Sequence, residues 1–203
     1  MTATARFLPR ADLDRLFTAL TADGRRVVGP TVVDGSIVHD ELASFAELPK
    51  GWTAETAPGA YRLEPTGRDR LFDYNVGATS WKRFTHPSIV PLTRGRRDGH
   101  QVVVEAVETD PPKLAFVGAR ACEIAALRIQ DRAMRAGPLG DADHVARGDA
   151  ALVVAVECAV AASTCFCTSM GTGPEARGGY DLVLTELDEG FVVRAGSPDG
   201  ADL

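Results

Sequence analysis

The sequence predicts a single α/β domain with a mixed sheet, a βαβ core and β-hairpin additions. Three observations carry this. Two short continuous apolar runs, Leu114 to Gly118 and Ala151 to Val156, read as buried strands. The stretch between them has helical periodicity. Outside that unit, β-rich runs are paired around Asp-Gly and Glu-Gly turns. A chain of 203 residues with 45% apolar and 25% charged side chains can bury a core of its own.

The elements follow in order. Leu13, Leu16, Phe17 and Leu20 recur at helical spacing, with Asp12, Asp14 and Arg15 opposite, so residues 11–22 read as an amphipathic helix stopped by Asp23-Gly24. Residues 26–33 and 36–39 flank Asp34-Gly35 as a hairpin, which makes His39 an exposed strand residue. Residues 41–60 read as loop, broken by Pro49-Lys50-Gly51 and Pro58-Gly59, with Trp52 in a packing role. Residues 61–64 and 71–74 read as short strands. Around residue 81 the chain reads as a short helix that packs Trp81 and Phe84 and leaves Lys82 and Arg83 in solvent. Residues 94–100 read as a basic turn and 101–107 as a strand. Cys122 to Met134 carries an apolar stripe through Ala125, Ala126, Ile129 and Ala133, a helix ended by Gly137-Pro138. The stretch 141–149 is polar, 180–187 and 191–194 form a last hairpin, and 196–203 reads as a linker.

Net charge is −6, which excludes nucleic acid and an anionic membrane as evident partners. No apolar run approaches the length of a membrane span, and the first residues lack the pattern of a secretory signal. A cytoplasmic location is the expectation. In a reducing compartment the four cysteines, Cys122, Cys158, Cys165 and Cys167, are better read as ligands or free thiols than as disulfides.

In a right-handed βαβ unit the two parallel strands end on the same edge of the sheet. Cys122 lies just past the first strand and Cys158 just past the second, and the loop from Ala159 to Ser163 can fold back to present Cys165 and Cys167. Four thiolates suffice to close a metal or iron–sulfur site. The spacing Cys-x(35)-Cys-x(6)-Cys-x-Cys has no zinc knuckle. A 4Fe–4S cluster is less tied to knuckles, and would draw on the helix start at Cys122, the backbone near Gly171 and Gly173, and the charge of Arg120. Structural zinc remains the chemical alternative. Four idle cysteines and a thiol enzyme built on Cys122, at a helix start that would lower its pKa, are two further readings.

At these residues the chain resembles a known family. Phe116-Val117-Gly118-Ala119-Arg120-Ala121-Cys122-Glu123 through Leu127 is similar to the Phe-Gly-x-Arg-x-Cys-Asp-x-x-Ala-Leu stretch of the β subunits of cytosolic NiFe sulfhydrogenases and the A subunit of anaerobic sulfite reductase. Cys165-Phe166-Cys167-Thr168-Ser169-Met170-Gly171, with Pro174 and Tyr180-Asp181-Leu182, resembles a second motif of the same family. Tyr74 to Gly77, Ser80 to Phe84 and Pro87 fit its middle segment, and Gly29-Pro30 with Asp34-Gly35 its first hairpin. Glu123 stands where the family usually has Asp. The resemblance implies a non-catalytic electron-transfer subunit holding one 4Fe–4S cluster on Cys122, Cys158, Cys165 and Cys167. It also implies a flavin- and NAD(P)-binding partner subunit, alongside a hydrogenase or sulfite reductase catalytic subunit. On this reading residues 1–195 are the iron–sulfur domain, and 196–203 lead towards a ferredoxin-like domain that the sequence does not contain. A zinc-binding or metal-free scaffold of such a complex is the alternative.

Overall fold

The computed structural model describes residues 5–77, 79–107 and 110–203. Its centre is a seven-stranded mixed sheet. The strands are β1 (Arg6–Pro9), β2 (Arg26–Val33), β3 (Ser36–Glu41), β8 (Leu114–Ala119), β9 (Leu152–Val156), β10 (Leu182–Glu186) and β11 (Gly190–Ala195), in the order β1-β11-β10-β9-β8-β2-β3. The four central strands run parallel and the two flanks are antiparallel hairpins. The α/β class with a mixed sheet, a βαβ core and hairpin additions is therefore what the chain adopts.

The crossover from β8 to β9 carries two helices, α3 (Ala121–Arg135) and α4 (Ala142–Ala150). The polar stretch 141–149 is thus helical. Its Asp141 side chain accepts from the His144 backbone N–H at 3.0 Å, so the charged residues that suggested a loop include the cap of a helix. An early helix, α1 (Leu13–Ala22), lies where periodicity placed it, with Leu13, Leu16 and Leu20 buried. Strand alternation sends Val27, Val117, Val154 and Leu184 to one core and Val28, Phe116, Ala155 and Val183 to the other. The two cores lie on opposite faces of the sheet.

Two small hairpins stand apart from the main sheet: β4 (Trp52–Ala57) with β5 (Ala60–Pro65), and β6 (Thr93–Asp98) with β7 (Gln101–Ala106). Pro58-Gly59, taken as a loop breaker, is the turn of the first, and Gly99-His100 is the turn of the second. Trp52 is 38% exposed, so it is no core residue. Residues 71–74 form no strand. Their amides are held instead by one side chain: Leu71 and Phe72 donate to the Glu186 carboxylate at 2.8 and 2.9 Å. A short helix, α2 (Lys82–Thr85), follows Trp81, which is fully buried against Phe116. The chain closes with α5 (Pro198–Ala201), whose Ser197 cap accepts from Gly200 N–H at 3.1 Å.

At the end of β8 the backbone turns sharply. Gly118 has φ +92° and the pairing with β9 shifts register between Val117 and Ala119. A Cβ at Gly118 would lie 3.0 Å from the Phe72 ring and 3.2 Å from Pro30. Only glycine fits both the conformation and the space, and this turn aims the following residues at the start of α3.

Candidate functional site

The sheet edge where β8 and β9 end carries the cysteines. Cys122 is the second residue of α3 and is half-buried; Cys158 sits two residues past β9. Cys167 lies beside the α3 start, since a Cβ on Gly173 would be 2.9 Å from its Sγ and 3.6 Å from the Ala121 Cβ. Cys158 and Cys167 both act electrostatically on the Cys122 thiol, so the βαβ edge gathers them around it.

They do not form a metal site. Cys165 is exposed and its Sγ accepts from the Ala162 amide at 3.2 Å, within its own loop. The Cys158 thiol is spent on the Val160 carbonyl at 3.3 Å. Among the described residues, no group of three or more His, Cys, Asp or Glu side chains is arranged to hold a metal ion. The expected 4Fe–4S cluster on Cys122, Cys158, Cys165 and Cys167, and the zinc alternative, are both overturned. With them goes the role of an iron–sulfur electron carrier. The topology brings the backbone positions to one edge, but each loop sulfur satisfies a local partner instead of a shared centre. Arg120, expected to offset cluster charge, is engaged elsewhere.

The Cys122 thiol is pushed up to about 11. Burial is the main cause, followed by the negative charge of Glu123 and of Cys167 and Cys158. The helix start was expected to lower it, but desolvation wins. A thiol held up there is protonated at neutral pH and a weak nucleophile, which counts against a catalytic role for Cys122.

What occupies the region instead is a buried polar framework. Arg120 is 1% exposed, and its guanidinium donates to three backbone carbonyls, those of Glu157 (3.0 Å), Phe72 (2.8 Å) and Tyr74 (3.0 Å). It also lies over the Tyr74 ring, 4.9 Å from the centroid. One buried cation thereby ties the loop 71–75 to the ends of β8 and β9. Next to it, Glu123 accepts from the Arg120 backbone N–H and from Trp81 Nε1–H, each at 2.9 Å. His39 Nε2 lies 3.5 Å from the same carboxyl, and the imidazole stacks on Trp81 at 3.9 Å between ring centroids.

His39 is 2% exposed, not the exposed strand residue expected. Its neighbour across the strand edge is Thr79, whose carbonyl oxygen lies 3.0 Å from Nδ1. A carbonyl can only accept, so the ring hydrogen is assigned to Nδ1 and the bare Nε2 faces Glu123. A carboxylate there is unfavourable and a protonated carboxyl is not. Burial pushes Glu123 up to about 7, against the hydrogen bond and charge of Arg120 and the Trp81 bond. Burial likewise pushes His39 down to about 4. Both groups are neutral over the window between, which suits a dry interior. No sequence pattern flagged His39 or Glu123 as a pair; the Trp81 and Phe84 packing was legible only because large aromatics near a turn usually bury.

Comparison with known proteins finds a similarity to a curated protein. The chain is 34% identical over 97 residues to the protein named sulfhydrogenase 2 subunit beta of Pyrococcus furiosus, a stretch covering 47% of this chain and 28% of that protein. The chain resembles a sulfhydrogenase beta subunit. The aligned stretch spans well under a third of that relative's length. No family model and no solved structure matches the chain. Among the described residues, no helix is long and apolar enough to cross a membrane.

Proposed function

We propose that this chain is a metal-free, non-catalytic assembly module of a redox complex, docking between a flavin- and NAD(P)-binding subunit and a hydrogenase or sulfite reductase catalytic subunit. The observation that carries the reading is the likeness to a protein that is itself named as a subunit of a sulfhydrogenase. The framework around Arg120 and Glu123 supports it: those polar groups are consumed in holding loops to the sheet edge.

The hairpin β6–β7 offers a docking surface. Its strands pair only with each other in the described residues, and all but Val103 of their residues are exposed. Val102 and Val104 are 69% and 65% exposed and share one face with Ala106, Gly95 and Thr93, bordered by Arg97 opposite Val102. A lone two-stranded hairpin is marginal in water, and an exposed apolar strip of this kind is the usual mark of a contact surface.

Co-expression with such flavoprotein and catalytic subunits, followed by size-exclusion chromatography with light scattering, tests this. Co-elution in fixed stoichiometry with no bound iron or zinc is expected. Separate elution sinks the assembly role, and stoichiometric metal sinks its metal-free form.

A further inference from the structure

We propose that the cleft between α3, α4 and the adjoining face of β8 and β9 is a binding site for a small amphiphilic anion, an apolar or aromatic body ending in one carboxylate or phosphate. The cleft has a volume of about 620 Å³. That lies within the roughly 300 to 1,000 Å³ typical of small-molecule sites.

Its floor is apolar. Phe116 and Val153 come from the sheet and Ile124 and Leu127 from α3. Its rim is cationic. Arg128 and Arg132 stand four residues apart on α3, hence on one helix face, and line the same cleft. Neither has a hydrogen-bond or ion-pair partner among the described residues. Arg135, by contrast, is fully engaged: it holds Asp131 at 2.9 Å and Asp149 at 2.7 Å. Three guanidinium groups against two carboxylates leave the lining with one net positive charge, on a chain whose own net charge is −6. A local cationic lining on an acidic protein favours an anion there. Two free guanidinium forks suit a carboxylate or phosphate group.

His144, from α4, closes the wall of the cleft at 3% exposure, with its Nε2 3.9 Å from Asp131, beyond hydrogen-bonding distance. The arrangement fits a ligand whose body lies on Leu127 and Val153 with its anion between Arg128 and Arg132. This site lies on the α3–α4 face and is independent of the assembly role.

The test uses the full chain and two fluorescent probes of one shape. 1-Anilinonaphthalene-8-sulfonate is an aromatic monoanion, and N-phenyl-1-naphthylamine is its uncharged parent. The anion is expected to bind saturably with one site per chain and to be displaced by benzoate but not by inorganic phosphate. The double variant Arg128→Gln/Arg132→Gln removes exposed, unpaired side chains, so its melting curve should match the parent. In it the anionic probe should weaken by about tenfold or more, since two charge-assisted contacts are lost, while the neutral probe is unchanged. Ala136→Trp, which fills the rim, should weaken both probes. Amide shift changes on adding benzoate should cluster at residues 144–153. Equal affinity of the anionic probe for parent and double variant overturns the proposal, as do benzoate shifts confined to other parts of the chain.

Discussion

At the scale of single residues, the region around α3 is governed by desolvation. Arg120 is a buried cation whose partners are carbonyls, so truncating it leaves three acceptors unpaired. Arg120→Ala is expected to cost about 3 to 5 kcal/mol. For a chain of this size that lowers the melting temperature by roughly 10 °C, read by calorimetry. Glu123 and His39 set the pH dependence. The folded Glu123 holds its proton up to about 7, whereas the unfolded group releases it near 4.5. Its contribution to stability is therefore lost as pH rises through that window. His39 acts with the opposite sign: folded, it refuses a proton down to about 4, while the unfolded group takes one near 6.5, so its contribution is lost as pH falls from 6.5 to 4. The two slopes oppose each other where the windows overlap. Glu123→Gln removes one of them, so the variant should gain on the parent by about 3 kcal/mol between pH 4.5 and pH 8. Urea midpoints across that range check this; a pH-independent difference would mean that Glu123 is ionised in the fold.

At the scale of elements, the hairpin β6–β7 is the least self-sufficient part of the chain. Basic residues Arg94, Arg96 and Arg97 lie along it opposite Glu105, Val103 and Val102. This is why a cluster of arginines that suggested a turn is in fact a strand: in a two-stranded ribbon free on both faces, burial imposes no pattern. Val102→Glu/Val104→Glu should abolish co-elution with partner subunits while shifting the melting temperature by less than about 4 °C, because exposed substitutions cost about 0.5 kcal/mol or less each. Retained co-elution would remove this ribbon from the interface. The hairpin β4–β5 was hidden for a similar reason. Trp52 and Pro58-Gly59 carry loop-like composition, and only pairing with Ala60–Pro65 makes them a strand and its turn.

At the scale of the whole molecule, two hydrophobic cores close the fold on both faces of one sheet. Glu186 shows how the parts are joined: it accepts from Leu71 and Phe72 and pairs with Arg10 at 2.9 Å, linking the N-terminal segment, a loop and β10. Because these contacts need no metal, dialysis against a chelator should leave the thermal transition unchanged within error. A drop of many degrees on chelation would show a metal built into the fold.

The sequence by itself determined the α/β class, α1, the β2–β3 and β10–β11 hairpins and the β8–α3–β9 unit. Each is a local signal, an apolar period or a turn dipeptide, and the strands of these units are buried on at least one face. It also determined that Cys122 and Cys158 would share an edge, because parallel neighbours in a right-handed crossover end on the same side. Tertiary structure alone decided what that edge does. Whether sulfurs converge depends on loop paths and on competing local partners such as the Ala162 amide and the Val160 carbonyl, neither of which spacing encodes. The same holds for Arg120, His39 and Glu123: their neutral or carbonyl-bound states follow from burial, and burial is a property of the packed whole.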